Sequence, residues 1–143
     1  MTDSVAPRVL VADDDQDIRE LVLLNLEAEG YRVAAAEDGD QAWAMVKAVL
    51  PDLVVLDVMM PGRDGLDVLA DLRAHPETRG IPVVLLTARA SDTEVWSGWQ
   101  SGADLYMTKP FEVEDLLGAV SYLLRECAAR RAAETVIPQK LIY

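Results

Sequence analysis

Short apolar runs alternate with longer helical patterns along this chain, and that alternation restricts its fold more than any other feature. Val9-Leu10-Val11-Ala12 ends abruptly in Asp13-Asp14-Asp15. Ile18, Leu21, Val22 and Leu26 then recur at helical spacing until Gly30, placed as a helix C-cap. The stretch 31–36 reads as a second strand, followed by a turn at Asp38-Gly39. A helical stripe of Ala42, Trp43, Val46 and Val49, with Trp43 expected in the core, is stopped by Pro51. Leu53-Val54-Val55-Leu56 is the clearest strand and terminates in Asp57. The loop Met59-Met60-Pro61-Gly62-Arg63-Asp64-Gly65 leads into a helix marked by Leu66, Leu69 and Leu72, which runs out at His75-Pro76. Val83-Val84-Leu85-Leu86 ends at Thr87, and the capping-box spacing Ser91-x-x-Glu94 starts another helix near Asp92. Leu105-Tyr106-Met107 ends at Thr108-Lys109-Pro110, and Leu116, Leu117, Val120, Leu123 and Leu124 carry a last helix past Arg125. Strand–helix pairs in strict alternation predict an α/β domain with a doubly wound parallel sheet. The runs are continuously apolar, as in strands covered on both faces.

Length and composition agree with one such domain. The chain has 143 residues, 51% of them hydrophobic and 27% charged, so it has the means to bury a core despite a net charge of −12. That charge argues against nucleic-acid binding by this chain, because phosphates would be repelled. No apolar run reaches the roughly 18–20 residues of a membrane span, and the first residues carry no apolar signal region, so a cytoplasmic protein is expected. One Cys excludes an internal disulfide framework and a Cys-based zinc site, and one His excludes a multi-His metal centre. Cys127 reads as a small apolar filler and His75 as a helix-end residue near the last carbonyls.

The polar residues that matter stand where the apolar runs stop. Asp13 and Asp14, Asp57, Thr87 and Lys109 each follow or close a strand. In open parallel sheets ligands bind beyond the carboxyl ends of the strands. Asp15 and Asp64 are expected instead as helix N-caps. Carboxylates delivered to one crevice by two strands repel one another, and a divalent cation relieves that repulsion. An all-oxygen donor set points to a hard ion, Mg²⁺ with Mn²⁺ tolerated. Carboxylates, such a cation, a hydroxyl and a lysine together suit phosphoryl chemistry, in which Asp57 can act as the nucleophile that forms an acyl phosphate. Neither a P-loop nor a Gly-x-Gly-x-x-Gly loop is present, so nucleotide binding is not indicated.

Four blocks, Val9-Leu-Val-Ala-Asp-Asp-Asp, Asp57-Val-Met-Met-Pro-Gly-Arg-Asp-Gly65, Leu86-Thr-Ala88 and Gly102-Ala-Asp-Leu-Tyr-Met-Thr-Lys-Pro-Phe111, resemble the receiver domain of two-component response regulators. The resemblance covers about 7–127 and leaves 128–143 as the end of the last helix and a short tail. It implies a five-stranded parallel sheet of order 2-1-3-4-5 flanked by five helices. It implies that Asp57 accepts a phosphoryl group from a sensor histidine kinase or phosphotransfer protein, making the chain a signalling domain and not an enzyme in the usual sense. Asp14, Asp57 and the main-chain carbonyl of Met59 match the Mg²⁺ ligands, with Asp13 acting largely through water. Lys109 matches the phosphate-binding lysine, preceding a cis peptide to Pro110. Thr87 and Tyr106 match a switch pair that alters a face made of the fourth helix, fifth strand and fifth helix.

On that face, which also includes Trp96 and Tyr106, the matching positions are Val95, Leu105, Ala119 and Ser121, where many DNA-binding relatives carry charge. The face is therefore expected to bind a downstream protein or to self-associate by apolar contact. Trp96 suits a partner-binding position and Trp99 the core. Met59 and Arg89 stand two residues after site residues, where family members tune acyl-phosphate hydrolysis; an apolar Met59 cannot orient water, which predicts a long-lived phosphoryl group. A small Mg²⁺-dependent phosphatase on a similar sheet is the competing reading, but it needs a second acid where this chain has Met59. A stand-alone switch and a piece of a longer regulator both remain open at this point.

Overall fold

The computed structural model describes residues 5–88 and 102–142, with 131–142 as backbone only. Strands β1 (Arg8–Ala12), β2 (Arg32–Ala36), β3 (Leu53–Asp57), β4 (Val83–Thr87) and β5 (Leu105–Thr108) form one parallel sheet in the order β2-β1-β3-β4-β5. Helices α1 (Gln16–Ala28), α2 (Gly39–Val49) and α3 (Gly65–Ala74) follow the first three strands, and α4 (Val113–Ile142) follows β5. The helix expected from Asp92, with Val95, Trp96 and Trp99, lies outside the described residues, as does Arg89. Helix α4 is accordingly the one read from the sequence as the fifth, and it continues through 128–142. None of the described helices is long and apolar enough to cross a membrane.

The continuous apolar runs are explained by two cores, one on each face of the sheet. Successive side chains of a strand point to opposite faces. Leu10, Val54, Leu56, Val83 and Leu85 pack with Ala42 and Val46 of α2 and with Val68, Leu69 and Leu72 of α3. Val9, Val11, Leu53, Val55, Val84 and Leu86 pack with Val22 and Leu26 of α1 and with Leu116, Val120 and Leu123 of α4. Two expected core positions differ from this pattern. Leu21 is 45% exposed, because Ile18, Val22 and Leu26 form the ridge that meets the sheet and Leu21 lies on its flank. Trp43 is only half-buried; its ring lies 5.1 Å from that of His75 at a tilt of 49°, with the Lys47 ammonium 5.4 Å from its centre.

Local chemistry places each helix start beside the carboxyl edge of the sheet. Asp15 caps α1 through Asp17 and Ile18 N–H, Asp38 caps α2 through Gln41 N–H, and Asp64 forms a capping box with Asp67 on α3. The loop after β3 runs so close to its neighbours that a side chain at Gly39 would collide with the Arg63 carbonyl, and one at Gly65 with that of Asp57. His75 closes α3, its Nδ1 lying 2.7 Å from the Asp71 carbonyl. Cys127 is buried on α4.

Leu50, which ends α2, holds a left-handed backbone at φ 45° while its side chain is half-exposed. Leucine pays for this conformation and glycine does not, so Leu50→Gly is expected to stabilise the protein by roughly 0.5–1 kcal/mol. Urea unfolding checks this; a lower midpoint at unchanged slope would show instead that the Leu50 side chain anchors the end of α2.

Candidate functional site

Strand register decides which residues meet at the carboxyl edge. β1 and β3 pair Ala12 with Leu56, so the next residues, Asp13 and Asp57, are neighbours. β3 and β4 pair Asp57 with Leu86, and β4 and β5 pair Thr87 with Thr108, which brings Thr87 and Lys109 to the same edge. The ladder extends past the strands: Asp13 N–H donates to the Ala36 carbonyl at 3.1 Å, Val58 N–H to Leu86 at 2.8 Å, and Lys109 N–H to Thr87 at 2.6 Å. β2 and β3 flank β1 on opposite sides, so the site lies where the winding of the sheet reverses.

Asp13, Asp57 and Thr87 are buried, Lys109 is half-buried, and Asp14 and Met59 are exposed. Lys109 Nζ stands 2.8 Å from Asp13 Oδ2 and 3.4 Å from Asp57 Oδ2. Asp13 Oδ1 accepts from Asp15 N–H at 2.9 Å, and Asp57 Oδ1 from Met59 N–H at 3.3 Å. One carboxylate oxygen from each of Asp13, Asp14 and Asp57 lies within 4.8 Å of the others. Burial, reinforced by the charge of Asp13 and only partly offset by Lys109, pushes the Asp57 carboxyl up to about 7. For Lys109 burial works against the ammonium, but Asp13 and Asp57 outweigh it and hold its pKa above the usual lysine value. Three clustered carboxylates, two of them against one ammonium, leave excess negative charge, and every donor is oxygen. That donor set fits a hard divalent cation such as Mg²⁺.

The other expected residues are more dispersed. Tyr106 is half-buried against the core on the α2 and α3 side, and Leu105 against the opposite core. Ala119 and Ser121 are half-buried on α4, where Ser121 Oγ accepts from Arg125 Nη1 at 2.9 Å. The Lys109–Pro110 peptide is cis. Two arginines not singled out from the sequence hold the site and the loop after β3. Arg19 Nη1 donates to the Asp13 carbonyl at 2.9 Å, and Arg63 pairs with Asp40 and Asp71, tying the loop after β3 to α2 and α3. Arg19 sits one helical turn beyond the cap Asp15, and that spacing was the available signal.

The sequence profile of the response regulator receiver domain matches residues 9–121. The chain belongs to that family. Among curated relatives, this receiver domain is 46% identical over 119 residues to the DNA-binding dual master transcriptional regulator RpaA of Synechocystis, covering 83% of the chain and 49% of RpaA. It is 42% identical over 123 residues to the DNA-binding response regulator MtrA of Mycolicibacterium smegmatis, covering 86% of the chain and 53% of MtrA. The chain thus spans about half the length of these relatives. Among solved structures, the Francisella response regulator 1452 receiver domain superposes with a TM-score of 0.78 at 36% identity, covering 84% of this chain and 98% of that one. A CheY-like receiver domain protein of Methanospirillum hungatei gives a TM-score of 0.82 at 29% identity, covering 87% and 98%.

The raised Asp57 pKa makes a testable statement about stability. The folded state holds this proton up to about pH 7, whereas an unfolded aspartate releases it near 3.8. The contribution is therefore complete below pH 4 and is lost as pH rises toward 7. In EDTA, Asp57→Asn is expected to match the wild type near pH 3.5 and to exceed it by roughly 2–4 kcal/mol at pH 8. Thermal unfolding of both proteins across that range checks the sign; a constant difference would show that Asp57 is not proton-linked to folding.

Proposed function

We propose that this chain is a phosphorylation-activated switch of two-component signalling, with Asp57 as the phosphoacceptor. The observation that carries the proposal is the convergence of Lys109 Nζ on Asp13 and Asp57 at the ends of three strands. An Asp57 carboxylate oxygen attacks the phosphorus of a histidine kinase or phosphotransfer-protein phosphohistidine; the P–N bond breaks and an acyl phosphate forms. Asp14, Asp57 and the Met59 carbonyl would hold Mg²⁺, with Asp13 acting largely through water, and Mn²⁺ would be tolerated in its place. When bound, the ion neutralises charge on the phosphoryl oxygens and on the carboxylates. Lys109 then turns from Asp57 toward the incoming phosphoryl oxygens, supplying the remaining positive charge. Met59 N–H holds Asp57 Oδ1, which leaves Oδ2 as the attacking atom.

Thr87, at the end of β4, is one pairing step from Asp57 and donates its hydroxyl to the phosphoryl group. Tyr106 pairs with Leu85 across β4 and β5, so a shift at Thr87 reaches it through one strand, and its ring reports phosphorylation to the output face. That face comprises Val95, Trp96, Leu105, Ala119 and Ser121, and it meets a downstream protein or a second copy by apolar contact. Residues 7–127 form the switch, and 128–143 are the end of its last helix and a short tail. The DNA-binding names of RpaA and MtrA suggest an output domain joined to such a receiver, so regulation of transcription by a longer form of this protein fits the same reading; the receiver itself contacts no nucleic acid.

Incubation with acetyl phosphate and Mg²⁺ is expected to add the mass of one phosphoryl group to the wild type and nothing to Asp57→Asn. Retained mass gain in Asp57→Asn would place the acceptor elsewhere. Once phosphorylated, Met59→Asn is expected to lose phosphate several-fold faster than the wild type, because an amide at this position can orient the attacking water. Equal decay measured by the same mass assay would remove Met59 from any role in phosphoryl lifetime.

A further inference from the structure

Asp13 is held at four points. Its N–H donates to the Ala36 carbonyl, its Oδ1 accepts from Asp15 N–H, its Oδ2 faces Lys109, and its carbonyl accepts from Arg19 Nη1 at 2.9 Å. Three of these partners belong to the sheet edge or the acidic turn itself. The fourth, Arg19, comes from within α1, where its own N–H bonds back to the carbonyl of the cap residue Asp15. Its long side chain returns toward the helix N-terminus, as helical side chains of this length do. The guanidinium is largely buried, yet it forms no ion pair with Asp13, Asp14 or Asp57; among the described residues its one ion contact is Glu37, at 4.0 Å. Arg19 therefore spends its hydrogen bond on the backbone of the acidic turn and leaves the carboxylates to other partners.

We infer that Arg19 is a positioning residue for the cation site, fixing the Asp13–Asp14 peptide so that the Asp14 carboxylate is presented beside Asp57. The inference rests on the receiver reading above. It follows from the geometry of a single peptide: the Asp13 carbonyl is one end of the plane whose other end starts Asp14. Rotation of that plane redirects the exposed Asp14 side chain, which has no hydrogen bond of its own among the described residues to restrain it. Asp13 N–H and side chain are anchored elsewhere, so its carbonyl is the free end of the turn, and Arg19 closes it. A buried carbonyl without a partner is costly, which gives the Arg19 contact its hold.

Charge and position predict opposite results, which makes the inference testable. If Arg19 acted only as a nearby cation, its removal would tighten Mg²⁺ binding by reducing repulsion. If it positions the turn, its removal weakens binding; outer-shell partners of metal ligands typically contribute about 10–100-fold. Calorimetric titration of Mg²⁺ into the unphosphorylated chain is expected to give a dissociation constant at least about tenfold higher for Arg19→Ala than for the wild type. Arg19→Lys, which keeps the charge and one donor, should recover part of the loss. The Mg²⁺-induced rise in Tm should fall in the same order, while the unfolding slope in EDTA stays at the wild-type value and shows that each variant is folded. Unchanged or tighter Mg²⁺ binding by a folded Arg19→Ala overturns the inference alone. A wild-type chain that binds no Mg²⁺ and gains no phosphoryl group overturns the receiver reading, and this inference with it.

Discussion

Five strands running the same way bring five carboxyl ends to one edge, and the register between them determines which side chains share it. With Ala12 opposite Leu56 and Asp57 opposite Leu86, the acids of β1 and β3 cannot avoid each other. A slip of one residue would turn each apolar strand position to the other face and separate Asp13 from Asp57 at once. The two cores prevent such a slip, because Leu10, Val54 and Leu85 on one face and Val11, Val55 and Val84 on the other each have helical partners of their own. Packing thus holds a charge arrangement that electrostatics alone would disperse.

The cost of that arrangement falls on Asp57. It is buried beside Asp13, with Lys109 shared between the two carboxyls, and its proton is held to about pH 7 in consequence. A group poised in this way gains whenever positive charge arrives, whether as a cation or as a change in the position of Lys109. The same poise suits a nucleophile, because a carboxylate stabilised less than usual is the more ready to form a bond. The surrounding acidic residues have separate tasks: Asp15, Asp38 and Asp64 cap helices, while Asp40 and Asp71 hold Arg63. The net charge of −12 is therefore no uniform coat; part of it sits at one edge of the sheet with specific partners.

Much of this is legible in the sequence. The apolar runs at 9–12, 53–56 and 83–86 carry the strands within a residue of their observed bounds, because strands covered on both faces leave no room for polar side chains. The caps at Asp15 and Asp64 are readable as acids placed just ahead of a helical pattern. Where the reading fell short, the missing information was three-dimensional. Leu21 shares the helical period of Val22 but not its ridge, and Trp43 meets His75 from another helix. The hold of Arg19 on the Asp13 carbonyl depends on a side-chain direction that spacing only hints at. Gly39 and Gly65 mark backbone contacts that no local pattern announces.

The opposite edge of the sheet shows how the same strands separate rigidity from reactivity. Arg73 at the end of α3 donates to the carbonyls of Gly102, Arg79 and Ile81 and pairs with Asp104, which also accepts from Val83 N–H. Burial lowers the Arg73 pKa and Asp104 counters it, so the cation stays charged and every bond it makes is charge-assisted. This one guanidinium fastens the beginnings of β4 and β5 together. Their far ends carry Thr87 and Lys109, only a few residues away. Pinning the two strands at their start helps fix the register that defines the site at their ends. Strength at the amino edge is thus what permits the carboxyl edge to hold residues whose charges oppose one another.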